Sequence, residues 1–154
     1  MTTSHMNFEV KRLTKDDLPL FIKLIGLFHG VFAMKKIAPG KEPYLKSLLS
    51  NPTFIAYVVI HENEVLGGIT AYELPMYYSE CSEVFIYDLA VKLEFQRKGL
   101  GKKLLGTLSE YCIKKGIHEI FVSANEEDKE ALKFYRACGG KPEQVVHFNY
   151  VINS

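Results

Sequence analysis

Residues 94–105 read EFQRKGLGKKLL, with Gly99 and Gly101 two positions apart among Arg97, Lys98, Lys102 and Lys103. Glycine admits positive φ and lets another group approach without a Cβ in the way. A helix beginning here would offer unpaired N–H groups and the positive end of its dipole. Together these features suit a phosphate group, and the basic side chains add a positive field. The same residues also read as a tight turn followed by a solvated basic helix face. No Gly-Lys-Ser/Thr follows at the P-loop spacing, and Gly106 comes too late for the dinucleotide fingerprint.

Asp88 is the second residue with chemistry to offer. It interrupts the apolar run VFIYDLAV, and a carboxylate inside a buried strand is costly unless paired. Strict alternation puts it on the face of Val84, Ile86 and Ala90. Burial would raise its pKa, which suits a general base or a water-mediated relay. The alternative is a structural Asp that holds backbone donors at a bulge. Glu83 begins the same run and can draw in a cation, whereas Glu73 and Glu80 read as surface acids. His29 and His147 are alternative bases, each more simply a satisfied core side chain.

The elements that must position these groups follow from periodicity. FEVKRL is a first strand. TKDDLPLFIKLIGLFHG is a helix with Thr14 as cap, Asp17 closing a capping box, and Leu18, Phe21, Ile22, Ile25 and Phe28 on its apolar face. MKKIAPGKE is a loop, and PYLKSLLS a short helix with Pro43 in its first turn. TFIAYVVI and VLGGITAYEL form a hairpin around HENE. EVFIYDLAV, nearly continuous in apolar character, is a central strand. LGKKLLGTLSEYCIKKG is a helix burying Leu100, Leu104, Leu105, Leu108, Tyr111 and Cys112, HEIFVSA a strand, and NEEDKEALKFYRACGG a helix with Asn125 as its cap. EQVVHFNYVI closes as a strand. The order β-α-α-β-β-β-α-β-α-β predicts an α/β (α+β) domain over residues 7–153, a central mixed and mostly antiparallel sheet flanked by helices. Residues 84–124 form one βαβ unit within it.

The 154 residues suit one domain, and a net charge of +1 argues against a dedicated nucleic-acid binder. No run approaches the roughly 20 apolar residues of a membrane span. Residues 1–6 read as a disordered start or tag remnant without the apolar stretch of a secretory signal, so a cytoplasmic location is expected. Cys81, Cys112 and Cys138 have no metal-ligand spacing and read as reduced, mostly buried thiols.

DLAVKLEFQRKGLGKKLL resembles the signature of the GNAT superfamily of N-acetyltransferases, a strand followed by Gln/Arg-x-x-Gly-x-Gly/Ala and a helix. Gln96, Gly99 and Gly101 fill those positions, and ALKFYRACGG resembles the family's second motif. The resemblance implies the GNAT fold and acetyl-CoA as co-substrate. Its pyrophosphate would be held by the turn from Gln96 through Arg97, Lys98, Gly99, Leu100 and Gly101 to Lys102. Its pantetheine arm would pair with the main chain of Leu89, Ala90 and Val91, with Asn125 as a further hydrogen-bonding group. Read alone, Tyr135 is a core tyrosine on the helix face of Ala131, Leu132 and Cys138. The family position implies that it is the proton donor to the coenzyme A sulfur.

YLKSLLSNPTFIAYVVI, GGITAYELP, SEVFIYDLAV and VVHF are similar to the aminoglycoside 3-N-acetyltransferases of gentamicin/fortimicin resistance. That likeness implies that Asp88 lies beside the acceptor amine, with Glu83 drawing in the cation; many relatives are dimers, and the final strand offers an edge for a homodimer. Two departures lower the pull on a polycation. Met34, Lys35 and Lys36 stand where an acid is expected, and Asn149 stands where an Asp is usual. The expected activity is acetyl transfer to a small cationic amine by direct attack on the thioester, with no metal, nucleic acid or membrane. Aminoglycosides, polyamines and peptide amines are the open acceptors. An acyl-CoA-binding sensor of the same fold is the competing reading.

Overall fold

The computed structural model describes residues 5–33 and 40–153. They form two compact units, Met1–Ser123 and Ala124–Ser154. In the first, β1 (Glu9–Arg12) leads into a capping box. The Thr14 hydroxyl accepts from the Asp16 N–H, and the Asp17 carboxylate accepts from the Thr14 N–H. A 3-10 turn (Lys15–Asp17) and α1 (Leu18–Val31) follow, then α2 (Glu42–Ser50) with Pro43 in its first turn. β2 (Phe54–His61) and β3 (Glu64–Pro75) meet in a two-residue turn, in which Glu62 and Asn63 both take positive φ, of 47° and 64°. Such a turn matches the natural twist of the strands it joins. β4 (Ser82–Val91), α3 (Leu100–Lys115) and β5 (Ile120–Val122) complete the unit.

The five strands lie in the order β1-β2-β3-β4-β5, antiparallel throughout except for the parallel pair β4–β5. The mixed, mostly antiparallel sheet expected from the sequence is therefore present. Both of its faces are covered. α3 packs Leu100, Leu104, Leu108 and Cys112 against Ile69, Ala71, Val84, Ile86 and Val91. α1 and α2 pack Leu18, Phe21, Leu24 and Leu45 against Phe54, Ala56, Val58 and Ala90. Gly68 permits this close approach: a Cβ there would lie 2.4 Å from Leu24 Cδ1.

Three sequence expectations are corrected here. α1 turns Leu24 and Leu27 inward, while Ile22 is 39% exposed, because Pro19 and the capping box fix where the helix begins and hence which stripe meets the sheet. β5 is three residues long, not seven. No strand forms beyond Gly140: the second unit contains α4 (Lys129–Ala137), and residues 140–153 carry no regular structure. Their β-rich composition suits a pleated surface, but a strand also needs another strand to complete its ladder. Of the cysteines, Cys112 is buried, whereas Cys81 and Cys138 are only partly covered. Among the described residues no helix is long and apolar enough to cross a membrane.

Candidate functional site

The site is built around β4. Its register with β3 shifts between Thr70 and Ala71: Thr70 faces Asp88, and Ala71 faces Ile86. Tyr87 is thus the extra residue of a β-bulge. Before it, Val84 and Ile86 belong to the core under α3. After it, Leu89 and Val91 do. Without the bulge, alternation would aim Asp88 into that core. With it, Asp88 shares the α1/α2 face with Ala90 and Thr70, and its expected grouping with Val84 and Ile86 is overturned. Glu83, opposite Leu74, lies two residues before Phe85 on the same strand face. The strand therefore brings the two predicted substrate acids, Glu83 and Asp88, to one side of the sheet.

Asp88 is half-buried, and burial alone raises its carboxyl above the ordinary value of 3.8. No hydrogen bond or ion pair to its carboxylate is found among the described residues. Aromatic rings line the strand near it. Tyr72 packs on Phe54 at 5.3 Å between centroids, Tyr87 stands edge-on to Tyr72 at 5.9 Å, and Phe85 stacks on Phe121 at 5.0 Å. The Tyr72 hydroxyl is itself raised, first by burial and then by the charges of Tyr87, Tyr44 and Asp88. Sequence reasoning missed this group: the tyrosines read as generic strand residues, and only the bulge places Tyr87 beside Asp88.

Glu73 behaves differently. It faces Val84 on the α3 side, so it lies on the opposite face of the sheet from Asp88. Its carboxylate accepts from the Tyr111 hydroxyl at 3.0 Å and from Lys115 Nζ at 3.3 Å. Burial would raise its pKa, but hydrogen bonds from Tyr111, Ser82 and Lys115 outweigh that and hold it below 4.5. The expectation of a plain surface acid is corrected: Glu73 ties β3 to the end of α3. His29 is half-buried in the last turn of α1, and His147 lies in the irregular segment of the second unit.

The far end of β4 has two features. β5 pairs only with Val84, Phe85 and Ile86, so beyond Ile86 no described strand covers that edge of β4. The main chain of Leu89 and Ala90 is therefore open on one side, while the carbonyl of Val91 accepts from Gln96 Nε2 at 2.9 Å. Gln96 thus braces the turn against the strand end. Arg97 (φ 61°) and Gly99 (φ 80°) are left-handed, which swings the chain into α3. No side chain caps α3, and the first N–H to find a carbonyl within the helix belongs to Lys103, bonded to Gly99 O at 3.0 Å. The N–H groups of Leu100, Gly101 and Lys102 remain at the helix mouth. Around them, Lys98 Nζ lies 5.6 Å from the Phe95 ring centroid, Arg97 and Lys102 are exposed, and Lys103 donates to Phe8 O. This turn fits an anionic phosphate in both donors and charge.

In the second unit, Asp128 and not Asn125 caps α4, its carboxylate accepting from the Ala131 N–H at 3.0 Å. The three residues after Asn125 form a turn closed by Asp128 N–H on Asn125 O, which delays the helix by one turn. Tyr135 lies on α4, edge-on to Phe134 at 5.2 Å. Gly139, at φ 92°, ends the helix as the sequence predicts. Met34, Lys35 and Lys36 lie outside the described residues. Among the described residues no group of three or more His, Cys, Asp or Glu is placed to hold a metal ion.

Known proteins share this fold. Residues 27–139 match the model of the Acetyltransferase (GNAT) family. An uncharacterised N-acetyltransferase of Methanocaldococcus jannaschii is 26% identical over 145 residues, 90% of this chain; the chain spans 63% of that relative's length. Among solved structures, an aminoglycoside acetyltransferase, meta-AAC0020, from an uncultured soil metagenomic sample superposes with a TM-score of 0.92 at 43% identity. That match covers 95% of this chain and 97% of the other, which was crystallised with trehalose and, separately, with sisomicin. A second soil metagenomic aminoglycoside acetyltransferase, HMB0005, gives a TM-score of 0.92 at 31% identity over 96% of this chain and 100% of the other.

Proposed function

The chain belongs to the acetyltransferase (GNAT) family, and from that premise we propose that it moves the acetyl group of acetyl-CoA to an amine of a small cationic acceptor, of the aminoglycoside class and at N-3. The observation that carries this reading is the double use of β4. Its middle holds a half-buried carboxylate with no partner among the described residues, and its end runs through a left-handed turn into an uncapped helix. The acceptor class is supported by the relative 42% identical to this chain and crystallised with sisomicin.

The roles follow from the chemistry. The pyrophosphate is met by the N–H groups of Leu100, Gly101 and Lys102, with Arg97 and Lys98 supplying charge and Gln96 and Gly99 shaping the turn. The open edge at Leu89 and Ala90 receives the pantetheine amides, and Asn125 is a further donor. Asp88, raised by burial, takes a proton from the ammonium group, directly or through water. The amine lone pair then forms a C–N bond at the thioester carbon, the C–S bond breaks with its pair leaving on sulfur, and the nitrogen gives up its remaining extra proton to water. Tyr135, at the family's donor position, protonates the sulfur. Glu83 adds attraction for the cation. Positioning does much of the rest, since holding two reactants together removes most of the entropic cost of their encounter. A homodimer and a cytoplasmic location accompany this reading.

The test mixes the protein with acetyl-CoA and a panel of aminoglycosides, polyamines and N-terminal peptides, and follows thiol release. Release with an aminoglycoside, with the product acetylated at N-3, is the expected result. Tight acetyl-CoA binding without release on any amine would instead identify an acyl-CoA sensor.

A further inference from the structure

A strand in the middle of a sheet covered on both faces is expected to bury its large side chains, yet Tyr87 is 64% exposed and Tyr44, on α2, is 66% exposed. Tyr87 immediately precedes Asp88, a half-buried carboxylate for which no hydrogen bond or ion pair is found among the described residues. The bulge is the cause: Tyr87 and Asp88 both stand opposite Thr70, so a ring and a carboxylate occupy adjacent places on one face. Behind Tyr87 the rings are braced. Tyr72 meets Tyr87 edge-on at 5.9 Å and rests on Phe54 at 5.3 Å, while Phe85 meets Tyr87 edge-on at 6.2 Å. The Tyr72 hydroxyl on β3 is within electrostatic reach of Tyr87 and Asp88 on β4 and of Tyr44 on α2.

Packing does not account for the arrangement. An exposed ring that only filled space would gain nothing from being a tyrosine next to an acid. An aromatic face attracts ammonium groups through its quadrupole, and its flat apolar surface suits the C–H face of a saccharide ring. The adjacent carboxylate supplies the complementary charge. An amino sugar presents both features, a ring face and a cationic amine.

Resting on the function proposed above, we infer that Tyr87, braced by Tyr72 and Phe85, is a specificity platform that receives the ring face of an amino-sugar acceptor and delivers its amine to Asp88. Tyr87 is therefore a positioning residue for the acceptor and has no part in holding acetyl-CoA.

The experiment compares wild type with Tyr87→Leu, Tyr87→Phe and Tyr78→Leu. Tyr78 is an exposed tyrosine in the segment between β3 and β4 whose ring contact is with Tyr77. Steady-state constants are measured for sisomicin and acetyl-CoA, and calorimetry measures sisomicin binding to the coenzyme A complex. Tyr87→Leu should raise KM and Kd for sisomicin about tenfold, the effect of a lost ring–cation contact. It should change kcat less than about twofold and leave KM for acetyl-CoA unaltered. Tyr87→Phe keeps the ring and should retain sisomicin affinity, and Tyr78→Leu should resemble wild type. Sisomicin affinity unchanged in Tyr87→Leu, or an equal loss of acetyl-CoA affinity, overturns the platform. If wild type binds sisomicin but turns over no amine, and Tyr87→Leu loses that binding, the platform stands and the acetyl-transfer reading falls.

Discussion

Glu73 and Asp88 are carboxylates on neighbouring strands of one sheet, and the molecule treats them in opposite ways. Glu73 faces α3 and is given a tyrosine hydroxyl and a lysine, so it stays ionised despite its burial. Asp88 faces α1 and α2, receives no such donor and is pushed toward its neutral form. Residue type and strand burial are nearly shared; partners are not. A carboxylate that the fold has satisfied belongs to its structure, whereas one left desolvated and unpaired is placed to take a proton from something else.

The comparison is broken most directly through activity. Asp88→Asn keeps size and removes the base, so kcat/KM for amine acetylation should fall by about 100-fold or more, the usual worth of a positioned base. Glu73→Gln should change it by less than about threefold. Thiol-release kinetics on both variants decide the point. A Glu73→Gln loss as large as that of Asp88→Asn would erase the distinction.

Stability sharpens the contrast because the two signs differ. A carboxyl held low in the folded state stabilises above its unfolded value of 4.5, and that contribution is lost as pH falls through the lowered value. Glu73→Gln should therefore lower Tm at pH 7 by about 5 °C, with the gap closing under acid conditions. A carboxyl raised in the folded state is most compatible with folding below its ordinary value of 3.8, and it costs stability as pH rises through the raised value. Asp88→Asn should raise Tm at pH 7 by about 2 °C, a gain that vanishes in acid. Thermal melts from pH 3 to 8 would show opposite slopes for the two variants. Parallel slopes would sink the assignment of Asp88 as the unpaired acid.

The smallest effect concerns a third carboxylate, Asp17, which is paired locally. It accepts from Thr14 and lies 2.8 Å from Lys11 Nζ, and these contacts outweigh its burial and keep it low. Thr14→Ala removes one hydroxyl contact and the cap on the Asp16 N–H, and should cost about 1 kcal/mol in chemical denaturation without altering turnover.

The local devices were legible in advance because each depends on residues close in sequence. The capping box at Thr14 and Asp17, the hairpin around HENE and the left-handed Gly99 all follow from short-range rules. Where long-range geometry intervened, local reading failed. Alternation assigned Asp88 to the wrong face, Asn125 was read as the cap that Asp128 provides, and residues 140–153 carried a strand's composition without forming one.

The sequence by itself determined the order of elements up to α4, the glycines and basic residues of the turn at Gln96–Gly101, and the anomaly of an acid inside VFIYDLAV. Periodicity, glycine and charge are properties of the chain before it folds. Only the tertiary structure decided which acid gains hydrogen-bond partners and which face of the sheet each acid takes. The bulge at Tyr87 is set by how β4 must register against β3, and the partners of Glu73 come from α3, nearly forty residues away. A side chain's pKa and exposure are fixed by groups that sequence distance does not reveal, because burial and hydrogen bonding exist only once the sheet and its covering helices have assembled.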